Sequence, residues 1–405
     1  MRNCLLILIL LPFLACTSKK KEVTFSIEKD SGSLIDKPIS VSIGNLDISQ
    51  YVLLNNGQSV PFDWDKDAKV IWFVRSPSHS REYTFSMFGE EASKVNRLSA
   101  QKDNGTLTLS IGKEPRVGYK YGMHYPPNGV DSIFKKSGFI HPLITPSGDT
   151  LTRINPPDHW HHYGIWGPWT HTRIDTVRVD FWNIGDGNGT VLHKEFKDES
   201  NGQVTSSFTA VQEHIDLKTE NSPQIALEEE LEVKIWNLNN APRYIMDYTS
   251  TFSSPLKNGI LFEAYRYGGG IGMRFTERWK KDNCKVLTSE GNDRLTADGT
   301  NAKWAIVSGE ASDGKGTNGI LFLSHSENRM HPEPMRVWPI DGNGGRGDMF
   351  FEFCPIRHEP WQIKPNEAYQ LKYRMVIFEG ELSPEEAEAY WNDFVDPTKI
   401  ELEVN

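Results

Sequence analysis

Cysteine is scarce: the 405 residues hold four, and two of these, Cys4 and Cys16, fall at the very start of the chain. The other pair, Cys284 and Cys354, can form one disulfide at most in an oxidising compartment. That is too little for a disulfide scaffold, and no CxxC spacing exists to build a thiolate zinc site. Positive charge is the second deficit. Lys and Arg total 44 against 54 Asp and Glu, leaving a net charge of −10, which excludes a general nucleic-acid binder because phosphate neutralisation needs a basic face. Long apolar runs are the third: the N-terminal run of about 11 residues falls short of the roughly 20 that cross a bilayer.

That run, in "MRNCLLILILLPFLACTSKKKE", follows a single arginine and reads as a signal peptide over residues 1–15. Ala15 followed by Cys16 resembles a lipobox, with Cys16 the acylated residue and ordinary cleavage nearby the alternative. The basic "TSKKKE" lacks the acidic residues expected of a surface-export signal. A periplasm-facing lipoprotein is favoured over the cell surface, touching the membrane only through its lipid anchor.

Helix signals are nearly missing too, and what fills their place is period-two alternation. In "IALEEELEVKIW", Ile225, Leu227, Leu231, Val233 and Ile235 share one face, and Glu228, Glu230, Glu232 and Lys234 the other. "YQLKYRMVIF" repeats the pattern, and both read as antiparallel strands with one buried side. Turn clusters such as "SDGKGTNG" separate the runs. The exception is "SPEEAEAYWNDF", where Ser383, Pro384 and Glu386 form a helix start and Ala387, Tyr390, Trp391 and Phe394 a packing face. The fold class is mostly β: a small N-terminal β-sandwich over residues 16–100, a polar linker or domain edge near 96–105, a larger antiparallel β-sandwich over 101–405, and a short C-terminal helix. No repeat of about 40 residues suggests a propeller.

An aromatic share of 11% with twelve tryptophans fits β-rich carbohydrate-active proteins, whose flat rings stack on sugars. In "NPPDHWHHYGIWGPW", three histidines and three tryptophans sit between prolines and glycines. Were "HWH" extended, His159 and His161 would point one way and His162 the other, so not all three would face one ligand. Imidazoles beside Asp158 suit a divalent metal, although the spacing matches no specific signature. The run "GGGIG" lacks dinucleotide-binding spacing and reads as a tight turn or as a close ligand approach beside Arg274. Further chemistry-bearing residues are His141 and Arg153, then Glu263, Tyr265, Arg266 and Tyr267, then His325, Asn328, Arg329 and His331, then Arg357 and His358.

These stretches are richer in His, Tyr and Arg than in carboxylates. That balance suits β-elimination from a uronic acid: a cationic or amide group neutralises the substrate carboxylate, a base removes the C5 proton, and an acid protonates the group leaving C4. A glycosidase would instead need two facing carboxylates. Each residue also has a purely structural use, the histidines as hydrogen-bonded core groups, the tryptophans as core, and Arg153 and Arg274 as partners of buried acids.

The blocks "HPLITPSGDTLTRINPPDHWHHYGIWGPW", "DFWNIG", "YGGGIGMR" and "ENRMHPEP" resemble the β-rich Bacteroidota family labelled "methane oxygenase PmoA", over about residues 105 to 380. The label misdescribes the family, because the methane monooxygenase subunit is a membrane protein and nothing here spans a membrane. Where the family reads His-x-His-His-Arg-Gly, Tyr163 stands in the arginine's place, so no anion contact is expected there. The resemblance implies a polysaccharide-degradation setting. A second likeness, to oligosaccharide dehydratases of ulvan breakdown, implies loss of water from a terminal uronic acid of a sulfated oligosaccharide, leaving a 4,5-unsaturated uronate.

The expectation is therefore a periplasmic lyase acting on acidic oligosaccharides. His159, His161 or His162 would serve as base or acid, with Tyr265 and His331 the next candidates for proton transfer. Arg153 and Arg274 would hold the carboxylate or sulfate, and His141, Trp166 and Asn328 would add substrate contacts. No cofactor is required, a divalent metal at the His cluster staying open. A glycoside hydrolase and a non-catalytic glycan-binding lipoprotein are the alternatives.

Overall fold

The computed structural model describes residues 22–27, 34–87, 96–238 and 241–402. The segment read as a signal peptide, with Cys16, lies outside the described residues. Among them, no helix is long and apolar enough to cross a membrane.

The alternating runs form the strands they predict. Gln224–Asn237 and Tyr369–Glu379 are central members of an eight-stranded antiparallel sheet, in which Arg243–Ser253 lies between them. A nine-stranded sheet packs against it, in the order Asn301–Ala302, Glu333–Val337, Phe350–Phe353, Ile271–Arg274, Ile165–Trp166, Phe139–Leu143, Glu114–Lys120, Thr106–Ile111, Leu98–Asp103. One large apolar cluster joins the two: Val117, Ile140, Ile165, Met273 and Phe351 from one sheet, and Phe208, Val233, Met246 and Ile377 from the other. Since neighbours on a strand face opposite ways, Phe139, Trp166, Gly272 and Phe350 turn to the outer face of the nine-stranded sheet. There Phe139, Trp166 and Phe350 join Tyr163, Trp182 and Ile184 in a separate aromatic cluster, with Tyr267 and Trp338 packed on it. The candidate site stands on this outer face.

The polar stretch 96–105 is not a free linker. Leu98–Asp103 pairs with Thr106–Ile111 through a turn at Asn104 and Gly105, both at positive φ, and forms the edge of the nine-stranded sheet. Seven N-terminal strands make one four-stranded sheet and three strands of a second around their own core, including Ile39, Val41, Ile71, Phe73, Tyr83 and Phe85. The last strand of the chain, Lys399–Glu401, pairs in parallel with Lys37–Ser42 of that unit. The helix Pro384–Val395 carries the expected capping box, and its Ala387 and Tyr390 are buried with Ile35, Val74, Trp304 and Phe378.

The disulfide expectation fails. Cys284 sits in the edge strand Cys284–Thr288 of the eight-stranded sheet and Cys354 just beyond Phe350–Phe353 of the other, and both are buried and free. Burial pushes the Cys284 thiol up to about 12 and raises that of Cys354 as well, so neither is a ready thiolate.

Candidate active site

The histidine-rich stretch is a closed loop rather than a strand. Its neck is the bridge between Ile154 and Tyr163, fastened by the Asn155 N–H to the His162 carbonyl at 2.8 Å. Inside it, His159 N–H bonds to Pro156 O at 2.9 Å and His162 N–H to His159 O at 3.0 Å, two successive turns that replace the period of two. Asn155, at positive φ, donates from its amide to Trp160 O at 2.6 Å across the loop. Gly164 leaves the loop at φ 62°, where a Cβ would stand 2.2 Å from Ile140 O. The turns overturn the expectation that His161 and His162 diverge: all three imidazoles line one cleft, their ring centroids 4.7 to 5.5 Å apart.

The cleft encloses about 180 Å³, its wall completed by Trp182, Asn183, Arg266, Tyr267, Arg336, Trp338 and Phe350. At one side, His159 Nδ1 lies 2.9 Å from Asp158 Oδ2, the oxygen that also accepts from Arg274 Nη2 at 2.8 Å. Partial burial works against ionisation of Asp158, but the His159 hydrogen bond and the Arg274 guanidinium prevail and hold its carboxyl well below the usual carboxylate range. With Nδ1–H on Asp158, a neutral His159 presents the lone pair of Nε2. Burial, then the neighbouring His159, pushes His161 down to about 4; burial, then His161 and Arg274, holds His162 well below the usual imidazole range. Both are neutral imidazoles at neutral pH.

Across from them, Asp180 accepts the backbone N–H groups of Trp182 at 2.9 Å and Asn183 at 2.8 Å, a side-chain-built turn that fixes both residues. Asn183 Nδ2 reaches Asp180 Oδ2 at 2.8 Å and Tyr267 Oη at 3.3 Å. Burial raises the Tyr267 hydroxyl to about 12, so it stays protonated and can donate. Arg336 pairs with Asp298 at 2.7 Å, a carboxylate it shares with Arg357 at 3.2 Å. Arg266 is exposed, lies over the rings of Tyr265 and Tyr267, and has no carboxylate partner among the described residues. This wall is electropositive in an acidic protein. The glycine run that carries it is shaped by protein rather than ligand: a Cβ on Gly269 would meet the Trp169 ring at 2.1 Å and one on Gly270 the Phe353 carbonyl at 2.1 Å.

Of the residues singled out from sequence, the structure brings the three loop histidines together with Arg266 and Tyr267 and distributes the rest. Arg274 is fully buried, between Asp158, Asp348 at 3.7 Å and the face of Trp338, so it orients the Asp158 carboxylate instead of meeting an anion in the cleft. Arg153 pairs with Glu277 at 3.0 Å and Asp348 at 3.7 Å. Trp166 is buried beneath His162 and Trp182, as part of the floor's support. His141 bonds through Nδ1 to Thr152 Oγ1 at 2.9 Å, outside the cleft wall. Tyr265 packs its ring on His171, beside the cleft rather than on its wall. His331 stacks on Trp391 of the C-terminal helix, and Asn328 spends its amide on Ser324, Glu333 and the Lys372 backbone. Tyr163 is buried and donates to the Phe134 carbonyl, away from any anion. Trp182, Asn183, Arg336, Trp338 and Phe350 were not picked out from sequence. "DFWNIG" holds the first two, and the other three sit in or beside the strands Glu333–Val337 and Phe350–Phe353. Among the described residues, no group of three or more His, Cys, Asp or Glu side chains is arranged to hold a metal ion.

Residues 106–392 match the model of a family of unknown function (DUF6807), and the chain belongs to that family. No curated protein matches it. Among solved structures it is similar to the heparan sulfate lyase HepC of Pedobacter heparinus, at 10% identity and TM-score 0.36 over 73% of this chain, which spans 38% of the lyase. A galactose mutarotase-like protein of Lactobacillus casei aligns at 10% identity and TM-score 0.37, covering 69% of this chain and 99% of that one. A galactose mutarotase related enzyme of Lactobacillus acidophilus aligns at 10% and 0.32, covering 70% and 100%. At such scores these likenesses carry no argument about activity.

Proposed function

We propose that this protein is a carbohydrate-active lyase that eliminates water from a uronic-acid residue of an acidic oligosaccharide. The observation that carries the reading is the meeting, in the lining of one cleft, of an Asp158-oriented imidazole with a protonated tyrosine beside an arginine that has no carboxylate partner among the described residues. His159 Nε2 takes the C5 proton; the electron pair left at C5 forms the double bond to C4; the C4–O bond breaks, and its oxygen takes the Tyr267 proton to leave as water. Arg266 and Arg336 offset the substrate carboxylate, which acidifies the C5 proton, while the half-buried Trp338 offers ring surface to the sugar. The resemblance carried by the "HWHHYG" block supports a carbohydrate setting, with sulfated ulvan fragments the first substrates to try, and the N-terminal apolar run supports a periplasmic lipoprotein.

The cleft wall holds no Asp or Glu, so the carboxylate pair of a glycoside hydrolase has no counterpart there. The test is to incubate the protein with acidic oligosaccharides and follow the ultraviolet absorbance of an unsaturated uronate together with mass. Loss of one water with a new chromophore is the expected result. Cleavage with gain of a water would replace elimination by hydrolysis, and binding without turnover would leave a glycan-binding protein.

A further inference from the structure

His162 is the most enclosed of the three cleft imidazoles, 3% exposed, boxed by Trp166, Trp338 and Phe350 with ring centroids at 5.0, 5.6 and 5.3 Å. Its Nδ1 is sealed from solvent and has no hydrogen-bond partner. Nε2 makes no protein hydrogen bond either but is not sealed, so it is the nitrogen that opens on the cleft. A neutral imidazole carries one N–H, and the two tautomers have unequal costs here. With the proton on Nδ1, a donor is buried without an acceptor; with the proton on Nε2, only a lone pair faces the aromatic box and the donor faces the ligand. Orphaned buried donors are the rarer and costlier case. A metal-binding role at Nε2 would need Nδ1–H held by a carboxylate or carbonyl, and that support is missing.

We propose that His162 is a fixed, neutral Nε2–H hydrogen-bond donor to the substrate's acidic group, stabilising the charge that builds on the carboxylate oxygens as the C5 proton leaves, and that it transfers no proton itself. This rests on the elimination reading for the identity of the ligand, but the tautomer does not. The charged and titratable groups around the ring all act in one sense: His161 and His159 from the same loop and Arg274 from the strand Ile271–Arg274 oppose protonation, and the remaining neighbours are aromatic. Two of the imidazoles then divide the work, with His159 moving the proton and His162 holding the developing oxyanion.

Two experiments decide it. In the full chain labelled with 15N-histidine, the His162 resonances, assigned with His162→Gln, should show the Nε2–H tautomer and no titration between about pH 5 and pH 8. An Nδ1–H tautomer or protonation in that range overturns the proposal whether or not a substrate is known. Should the Gln variant not fold, His162→Phe, which suits the aromatic box, assigns the same resonances. In turnover, His162→Phe should lose about a hundredfold or more in kcat, while His162→Gln, which keeps a neutral N–H donor, should recover most of the loss with an unchanged pH profile. Loss of a limb of the profile in the Gln variant would make His162 a proton-transfer group instead. If the wild type turns over no acidic oligosaccharide while the tautomer is as stated, the elimination reading fails and the donor assignment stands.

Discussion

Two clusters of titratable side chains lie on opposite faces of the same sheet. The outer one is the cleft. The inner one gathers Lys136, Gln212, His214, Glu229 and Tyr248 around a cavity of about 10 Å³, beneath Ile165 and Trp166 and room for about one water. By residue type the inner cluster is the richer in acid–base chemistry. Yet its groups answer one another: His214 Nε2 meets Glu229 Oε2 at 2.9 Å, Ser250 donates to the other oxygen at 2.6 Å, and Gln212 donates to Tyr119 at 3.2 Å. In the cleft, His159, His161 and His162 each keep a nitrogen uncommitted toward an opening of about 180 Å³. Access, rather than the presence of His, Glu or Lys, separates a site from a structural network: His214 Nδ1 has no hydrogen-bond partner either, but it is sealed inside.

Mutation can break or sharpen that contrast. His159→Gln should lower turnover of the acidic substrate by about a hundredfold to ten-thousandfold while leaving the thermal midpoint within a few degrees. Equal losses of rate and stability would mean that the cleft is structural too. Glu229→Ala should do the reverse: it removes the acceptor of His214 and Ser250 and the counter-charge nearest Lys136, costing about 3 to 5 kcal/mol in a denaturant melt, with the rate per folded molecule unchanged.

Lys136 gives the inner cluster a signature in pH. Burial lowers its ammonium from 10.5 to about 7, with Glu229 opposing, so between those values the unfolded chain binds the proton that the folded chain has released. Stability from this group therefore rises with pH from about 7 to about 10.5 and is flat below, and Lys136→Met should remove that slope in melts taken across the window. The smallest effect belongs to the rim. Arg266→Ala should raise KM for an acidic oligosaccharide by about tenfold and barely change binding of a neutral one. An equal effect on both would assign Arg266 to the wall's architecture, through its rings, rather than to the anion.

What the sequence made legible was local. The strands Gln224–Asn237 and Tyr369–Glu379 and the capped helix Pro384–Val395 follow from periodicity and cap chemistry, which need only neighbours along the chain. One signal in the first strand went unused: Glu229 stands on the apolar face between Leu227 and Leu231, and a buried acid at that register announces the inner cluster. The histidines were legible as a group but not in direction, because the turns at 156–159 and 159–162 depend on a loop neck closed by tertiary pairing. The opposite wall was illegible for a different reason. Asn183, Phe350 and the pair Arg336 and Trp338 come from separate segments, most of which meet only through the order of the nine-stranded sheet, while Arg266 and Tyr267 stood out as residue types but not as members of this wall. Arg153 and Arg274 looked like anion clamps until their carboxylate partners, far along the chain, came into view.

The parallel pairing of Lys399–Glu401 with Lys37–Ser42 bears on the order of events during synthesis. Segments emerging first from a ribosome ordinarily fold first, but the edge of the N-terminal sheet stays open until Lys399–Glu401 arrives, after every other described strand has been made. Lys37–Ser42 therefore waits with one edge unpaired while more than 300 further residues are made, the longest sequence separation of any strand pair among the described residues. The chain's last strand acts as its latch, and a ribosome that stops short would release a large sandwich whose leading unit still offers an edge to any other extended chain.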